Sequence, residues 1–593
     1  MRLVLFALAG LIVVMAIQSP LSPLLHLAPA PQLAHVHALS SPAVAEPASM
    51  LTEPMRLGAA SNFSQGWNEA LFQAAEKLPL RNWRDSVRWA DVEKVKGRYS
   101  FGTPMTRYPQ RLQAPGTRLT LTLNWGNPLY DSGHTPHSAD ALAAFRRFVT
   151  ELVRRYPAID TIEIGNEING NNFVNGPVKD GGMVQRRAYH LAMVRSAAEG
   201  VKIAQAPVRV IGGSVHSLPG GFLWPLLEDP AAASLQGLAV HPYTTPIEQL
   251  PQQIGVLRRH AGLRRHVLHI TEFGSQNAHT APDELVRAYA TLSSLGSREL
   301  DWYPLNERGD GFVPLLRRSG ETTGVAQAFR LVTDRLASFR ARDVSPDRFT
   351  FVHAFGPHIL VLWGAPRAIR VNPAEVAAFD ARGARLDAAH LTLDETRVLV
   401  LQGQQPLVLG RDVRLGCSSL IADSFLGFSY PADTEDQGSS AGFTAFVQRG
   451  RGKLPLETLP GQQREGVPWT PYLGPSDAAL PRVLSDMVIP NPDGPVFLEF
   501  LTERAGTLRV QGDFAAAHSG ALGPKVAFSV DGRLLDLPAQ SSPVRVDRIL
   551  KVRSGQRLAF AVSWNQTARD STARYRIRLF DPGSCALAEA ARR

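Results

Sequence analysis

From about residue 51 to 344 the chain alternates short, β-prone apolar runs with longer helical segments. No other feature limits the fold as tightly. The runs fall at 118–123, 161–164, 208–211, 237–240 and 266–270, with candidate helices at 138–155 and 185–204 between them. Ser138 opens the first helix with Asp140 close behind, a pairing that marks a helix start. Strands separated by helices pair in parallel, because each crossover returns the chain to the same edge of the sheet. A stretch of about 290 residues of this kind suits a (β/α)8 barrel of eight parallel strands. A doubly wound open sheet is the alternative, but no glycine-rich phosphate loop follows the first strand.

The pattern changes on either side of this region. Arg2 precedes an apolar stretch over residues 3–17, followed by Ser19-Pro20 and Ser22-Pro23. Such a run is short for a membrane-spanning helix and fits the core of an export signal. Residues 18–50 read as a Pro/Ala-rich linker, and Ala43-Val44-Ala45 offers a small-residue cleavage site. An uncleaved anchor, tethering the protein to a membrane, is the alternative. Both readings place the bulk of the chain outside the cytoplasm, secreted or periplasmic. Residues 345–415 read as a small antiparallel β domain, and 416–593 as a C-terminal β-sandwich of jelly-roll type. The two cysteines, Cys417 and Cys585, bracket that last segment. An oxidising compartment permits them to pair, with two separately buried thiols as the alternative.

With 593 residues, the chain is too long for one ordinary domain. At 44% hydrophobic and 20% charged residues it has the composition of a folded protein. Its formal charge of +10 comes mostly from arginines spread along the chain. That spread describes a solvated basic surface, and an anionic polymer substrate is the sharper alternative. No aromatic-and-basic module of a nucleic-acid reader is present, so nucleic acid is not an expected partner.

Two of the apolar runs end in a carboxylate. Ile162-Glu163-Ile164-Gly165-Asn166-Glu167 opens into the polar loop Asn169-Gly170-Asn171-Asn172, and Leu268-His269-Ile270-Thr271-Glu272 leads into Phe273-Gly274. In a parallel barrel, groups at the C-terminal strand ends gather at one mouth, and roughly 100 residues leave room for about three βα units between the two glutamates. Glycoside hydrolysis with retention uses such a pair: an acid that protonates the leaving oxygen and a nucleophile about 5–5.5 Å away. Their pKa values must be split, so that one carboxyl keeps its proton while the other is charged. The plainer reading, that each glutamate ends its strand in a salt bridge, explains one such ending better than two.

At these residues the chain resembles clan A glycoside hydrolases, and particularly glycoside hydrolase family 39, over about residues 55–410. Asn166-Glu167 looks like the strand-four acid/base motif, with Asn169 in the place of a common asparagine two residues on. Glu272, in Thr271-Glu272-Phe273-Gly274, looks like the strand-seven nucleophile. The segment from Arg84 to Phe101, which contains Trp89, resembles the family's early region, with Arg84 supporting the nucleophile. Gly126-Asn127-Pro128-Leu129-Tyr130 resembles the strand-three loop, His241-Pro242-Tyr243 the strand-six end, and Asp301-Trp302-Tyr303 strand eight, with Trp302 as a sugar platform. Gly165 stands where these enzymes often carry tryptophan, and Ile168 where proline is usual.

Other residues have physical roles of their own. A hydrogen bond from Tyr243 would hold Glu272 as an anion, and Asn166 is placed to reach a sugar 2-hydroxyl. Trp89, Trp125 and Trp302 offer flat faces for sugar stacking, with core packing as the alternative for each. Asn124, Asn169, His216 and His241 complete the expected substrate-binding set. Glu163 shares strand parity with Glu167 and reads as a polar residue lower in the barrel. Asp131, His134 and His137 share a loop, but their spacing matches no marked metal site, and no metal or organic cofactor is implied.

These residues together point to a retaining β-glycoside hydrolase, endo-acting on a bacterial extracellular polysaccharide. The late sandwich would bind glycan or extend the cleft. An exo-acting β-xylosidase-like enzyme, a transglycosylase and a catalytically silent glycan-binding or export protein are the alternatives.

Overall fold

The computed structural model describes residues 53–431, 442–450, 452–537 and 542–585. The expected export segment and linker, residues 1–50, lie outside the described residues. No helix among the described residues is long and apolar enough to cross a membrane.

Eight strands close into a barrel: β1 (Arg56–Ala60), β2 (Asn82–Ser86), β3 (Arg118–Leu123), β4 (Ile159–Ile164), β5 (Arg209–His216), β6 (Leu238–His241), β7 (Leu268–Phe273) and β8 (Glu299–Trp302). Each pairs in parallel with its neighbour in sequence, and β8 returns to β1. Helices cross between them, among them α1 (Ala139–Arg155), α2 (Gly182–Ala204) and α3 (Ala281–Ser294). The start of α1 follows from its sequence: Ser138 accepts from the Ala141 amide at 3.1 Å, and Asp140 complements the positive helix end. Pro157 disfavours a helical Tyr156, and the helix stops there. The buried face of α1 carries Ala141, Ala144, Phe145, Phe148, Val149 and Leu152, the spacing of a helix packed on one side. These residues share one core with Ile162 and Ile164 of β4, where each large side chain contributes roughly 1.5–3 kcal/mol by leaving water.

The barrel interior is more polar than the usual aliphatic filling. Glu163 is completely buried and accepts from Thr122 Oγ1 at 2.8 Å, Thr271 Oγ1 at 2.9 Å and Arg84 Nε at 2.7 Å. Another buried group joins His269 Nδ1 to Glu299 Oε1 at 2.8 Å, with Thr120 alongside. Glu163 is thus the polar interior residue that strand parity implies, and it ties β2, β3 and β7 together inside the barrel.

Beyond the barrel all the sheets are antiparallel. A six-stranded sheet includes Thr350–Phe355, Ile359–Gly364 and Leu399–Gly403, and packs on a small core of its own. Two further sheets, one built around Gly506–Ala516 and Ala573–Phe580 and the other around Val496–Leu501 and Arg557–Ser563, share a core containing Phe514, Phe528, Phe560 and Ile577. The Phe514 and Phe560 rings meet between the sheets at 5.5 Å. Cys417 and Cys585 form a disulfide that ties the two ends of this unit together.

A hairpin of the sandwich reaches back to the barrel. Its strands, Glu457–Leu459 and Tyr472–Gly474, are joined by the loop 460–471. The amides of Gly220 and Gly221, just after β5, donate to the carbonyls of Pro460 and Gly461 at 2.8 Å each. A side chain at Gly221 would meet the Gln463 backbone at 2.4 Å, so the two surfaces touch at glycine.

Candidate active site

The end of β4 turns sharply. Gly165 has φ 83°, and Glu167 has φ 45°, a left-handed conformation that costs a non-glycine residue about 1–3 kcal/mol. The surroundings hold it. The Gly165 amide donates to Leu123 O at 2.9 Å, the Asn166 amide to Asn124 Oδ1 at 3.1 Å, and the Ile168 amide to Ser214 O at 3.0 Å. This turn explains both departures from the family pattern. A Cβ at Gly165 would lie 2.5 Å from Ile168 Cγ2, so glycine here and isoleucine there accommodate each other.

Glu167 on this turn faces Glu272 at the end of β7. Carboxylate oxygens of the two glutamates and a ring nitrogen of His241 lie within 4.8 Å of one another. Both carboxylates are mostly covered but reachable, with side chains 17% and 13% exposed. Arg84, in the middle of β2, joins the site through all three guanidinium nitrogens. It donates to Glu163, to Glu272 and to Asn166 Oδ1, the last at 2.9 Å. Tyr243 OH donates to the other oxygen of Glu272 at 3.0 Å. Burial, reinforced by the Glu272 charge, pushes the Tyr243 phenol well above its ordinary range, so it stays a donor.

His241 is completely buried at the end of β6. Its Nδ1 lies 3.2 Å from Glu167 Oε1, and its Nε2 lies 3.0 Å from Thr271 Oγ1. Burial alone would drive off its proton. The Glu272 charge and bonds to Glu163 and Glu167 outweigh burial and raise its pKa to about 9. Glu163 and Glu167 respond in the opposite sense. Burial would raise both, but Arg84 and His241 hold Glu163 far below the usual carboxylate range, and the bond from His241 lowers Glu167.

The other expected site residues separate into three groups. Asn166 and Tyr243 stand at the carboxylates, as does Arg84. Asn124 and Asn169 are buried and occupied. Asn124 accepts from the Asn166 amide and donates to Phe173 O at 3.0 Å; Asn169 clasps the His216 backbone and Gln462. These two position the β4 loop, and each of their side-chain polar atoms is bonded to protein. His241 likewise acts through Glu167, because its ring is inaccessible.

The tryptophans divide. Trp302 is fully buried, donates to Val313 O at 2.9 Å and meets Phe273 edge-on, so it is core packing and not a sugar platform. Trp89 is also core: it stacks on Tyr130 and Phe148, and its Nε1 donates to Glu93. Trp125 is 39% exposed beside Phe173 and keeps a free face. His216 is half-buried at the mouth, and burial lowers its pKa. Ser217 Oγ accepts from Thr244 and lies 2.6 Å from His216 Nδ1, which fixes the ring. In the loop after β3, Asp131 accepts from the His137 and Ser138 amides, a turn-and-cap role.

Sequence reasoning missed Thr122, Thr271, Gln462 and Trp469. Thr271 carried a usable signal, since it lies two residues after His269 in a strand where alternate residues share a face. Gln462 and Trp469 carried none, because they come from the sandwich hairpin almost 300 positions after Glu167.

No protein-family model matches the chain, and no curated protein sequence matches it. Among solved structures, its fold is similar to that of a family 39 glycoside hydrolase from Bacteroides cellulosilyticus WH2, at 17% identity over 60% of this chain and 82% of that one, with a TM-score of 0.48. It is similar to a family 30 subfamily 8 xylanase from Clostridium acetobutylicum at 14% identity, covering 59% of this chain and 97% of that one, TM-score 0.44. A family 39 β-xylosidase from Caulobacter crescentus is similar at 14% identity, with 59% and 97% coverage and a TM-score of 0.42.

Proposed function

We propose that this chain is a retaining β-glycoside hydrolase with Glu272 as nucleophile and Glu167 as acid/base. The observation that carries this reading is the approach of the two carboxylates to within 4.8 Å at the mouth of the barrel. That separation suits direct attack with roughly 5–5.5 Å between carboxyl groups, and leaves no room for the water that inverting enzymes place across roughly 6.5–9.5 Å.

In the first step Glu272 attacks the anomeric carbon while the bond to the leaving oxygen breaks and Glu167 supplies that oxygen with a proton. The products are a glycosyl ester on Glu272 and a free alcohol. Water then gives a proton to Glu167 and attacks the anomeric carbon, releasing Glu272 as a carboxylate. Arg84 and Tyr243, each bonded to a different oxygen of Glu272, hold it aimed before the attack.

The proton for the first step resides on the His241–Glu167 hydrogen bond. In the free protein it lies on the His241 side, since His241 is raised and Glu167 lowered. Moving it along the bond to Glu167 leaves the net charge of the cluster unchanged, so a small change in surroundings is enough. Esterification of Glu272 removes the charge that most favours imidazolium, and His241 then stays neutral until Glu272 is released.

Endo action on an extracellular polysaccharide is the finer part of the proposal. It is supported by the sandwich loop, which lengthens one side of the mouth, and by the export signal read in residues 1–17. Proton NMR during polysaccharide hydrolysis tests both parts. Retention gives the β-anomer first, and endo action gives oligosaccharides before single sugars. An α-anomer formed first would refute the assignment of Glu272.

A further inference from the structure

We propose that Trp469, carried by the C-terminal sandwich, binds the first sugar ring of the leaving group, which makes the sandwich a structural part of the catalytic cleft. This inference rests on the hydrolase reading above and adds to it the subsite and the residue that builds it.

Trp469 is 38% exposed although its loop is docked against the barrel. Its ring lies over the loop that carries the acid/base: a Cβ at Gly170 would be 3.1 Å from the indole, and the Gly170 amide donates to Glu167 O at 2.9 Å. The indole meets His216 edge-on at 5.3 Å, and His216 in turn lies 6.2 Å from Tyr243, whose hydroxyl holds Glu272. Trp469 therefore ends a row of rings that begins at the nucleophile and passes the acid/base. Glu167 must reach the leaving oxygen, so the first leaving-group sugar lies over the Glu167 loop, on the side where Trp469 stands. A flat indole suits the C–H face of a pyranose.

The ring is also held in place. Gln462 is buried and exchanges two bonds with Asn169, accepting from its side chain at 2.9 Å and donating to its carbonyl at 3.0 Å. The Gln462 amide donates to Pro468 O at 2.6 Å, closing the loop just before Trp469. Gly461 has φ 78°, and a side chain there would strike the Thr470 backbone at 2.5 Å. A platform fixed before the substrate arrives loses little freedom on binding.

The test compares wild type, Trp469→Ala and Trp469→Phe on xylo-, gluco-, manno- and galacto-oligosaccharides of four to six sugars and on the matching 4-nitrophenyl glycosides. The readout is the ratio of oligosaccharide to aryl-glycoside kcat/KM. For the sugar that wild type cleaves, Trp469→Ala should lower that ratio about ten-fold, equivalent to about 1.4 kcal/mol of leaving-group binding, and Trp469→Phe should restore most of it. An unchanged ratio would overturn the platform and leave the hydrolase intact, whether both rates stay level or fall together. Wild type that cleaves no member of either set would remove the hydrolase reading and this inference with it.

Discussion

Nδ1 of His241 lies 3.2 Å from Glu167 and 3.7 Å from Glu272, so one buried imidazole bridges the two glutamates at the barrel mouth. The pH dependence of the enzyme follows from that contact. The His241–Glu167 pair holds the transferable proton below a pKa of about 9 and loses it above, so kcat/KM should fall on the alkaline side near that value. His241→Gln should move the alkaline limb downward and reduce kcat by about 10²-fold, the lower end for a lost proton-transfer partner. Stability has the same sign. Folding raises His241 from its ordinary 6.5, so its contribution is full below pH 6.5 and is lost as pH rises to about 9. Melting curves of wild type and His241→Gln across that window check this.

The two glutamates should fail differently. Glu167→Ala should cost about 10²–10⁴-fold with a poor leaving group and far less with an activated aryl glycoside, because only the former needs the proton. Azide should rescue it and yield a β-glycosyl azide. Glu272→Ala should be inactive toward both, and any azide product should be the α-anomer. Rates with and without azide, and the product anomer, decide the roles.

Arg84 bonds to Glu163, Glu272 and Asn166 at once. Arg84→Lys keeps the charge but cannot span three partners, so kcat should fall about 10²-fold through misplacement of Glu272. The melting temperature, measured alongside, shows whether the loss is geometric or reflects unfolding.

Two buried carboxyls should respond in opposite ways to amidation. Glu163 is an anion bound by Arg84, and Glu163→Gln leaves that guanidinium without its main counter-charge, at a cost of about 3–5 kcal/mol. Asp301 has no hydrogen-bond partner at either oxygen. Burial, with the Glu299 charge added, pushes its pKa well up, so it is a neutral acid. Asp301→Asn should therefore change stability by less than about 1 kcal/mol. Denaturant unfolding of both variants at neutral pH makes the comparison.

The Cys417–Cys585 disulfide closes a segment of 168 positions. Replacing both cysteines by serine should destabilise the sandwich by about 2–4 kcal/mol. Because loop 460–471 belongs to that unit, calorimetry should show the sandwich transition falling while the barrel transition moves less.

Much of the barrel is legible in the sequence because each strand is a short apolar run with a helix after it. The run at 118–123 coincides with β3, and those ending in Glu167 and Glu272 place both carboxylates at one mouth. Strand parity also places Glu163 inside. What parity cannot give is which ring stays accessible. Trp302 lies one residue past an inward-facing Asp301 and is swallowed by Phe273 and the Val313 segment, while Trp469, far along the chain, reaches the cleft. The roles of Asn169 and His241 were hidden for the same reason, since both are set by partners distant in sequence.

Trapping the covalent intermediate tests the central claim most directly. The protein is incubated with a panel of 2-deoxy-2-fluoro glycosides, and the labelled peptide is identified by mass spectrometry. The account predicts a single glycosyl ester on Glu272, formed in wild type and absent from Glu272→Ala. A label on Glu167, or on any residue other than Glu272, would contradict it.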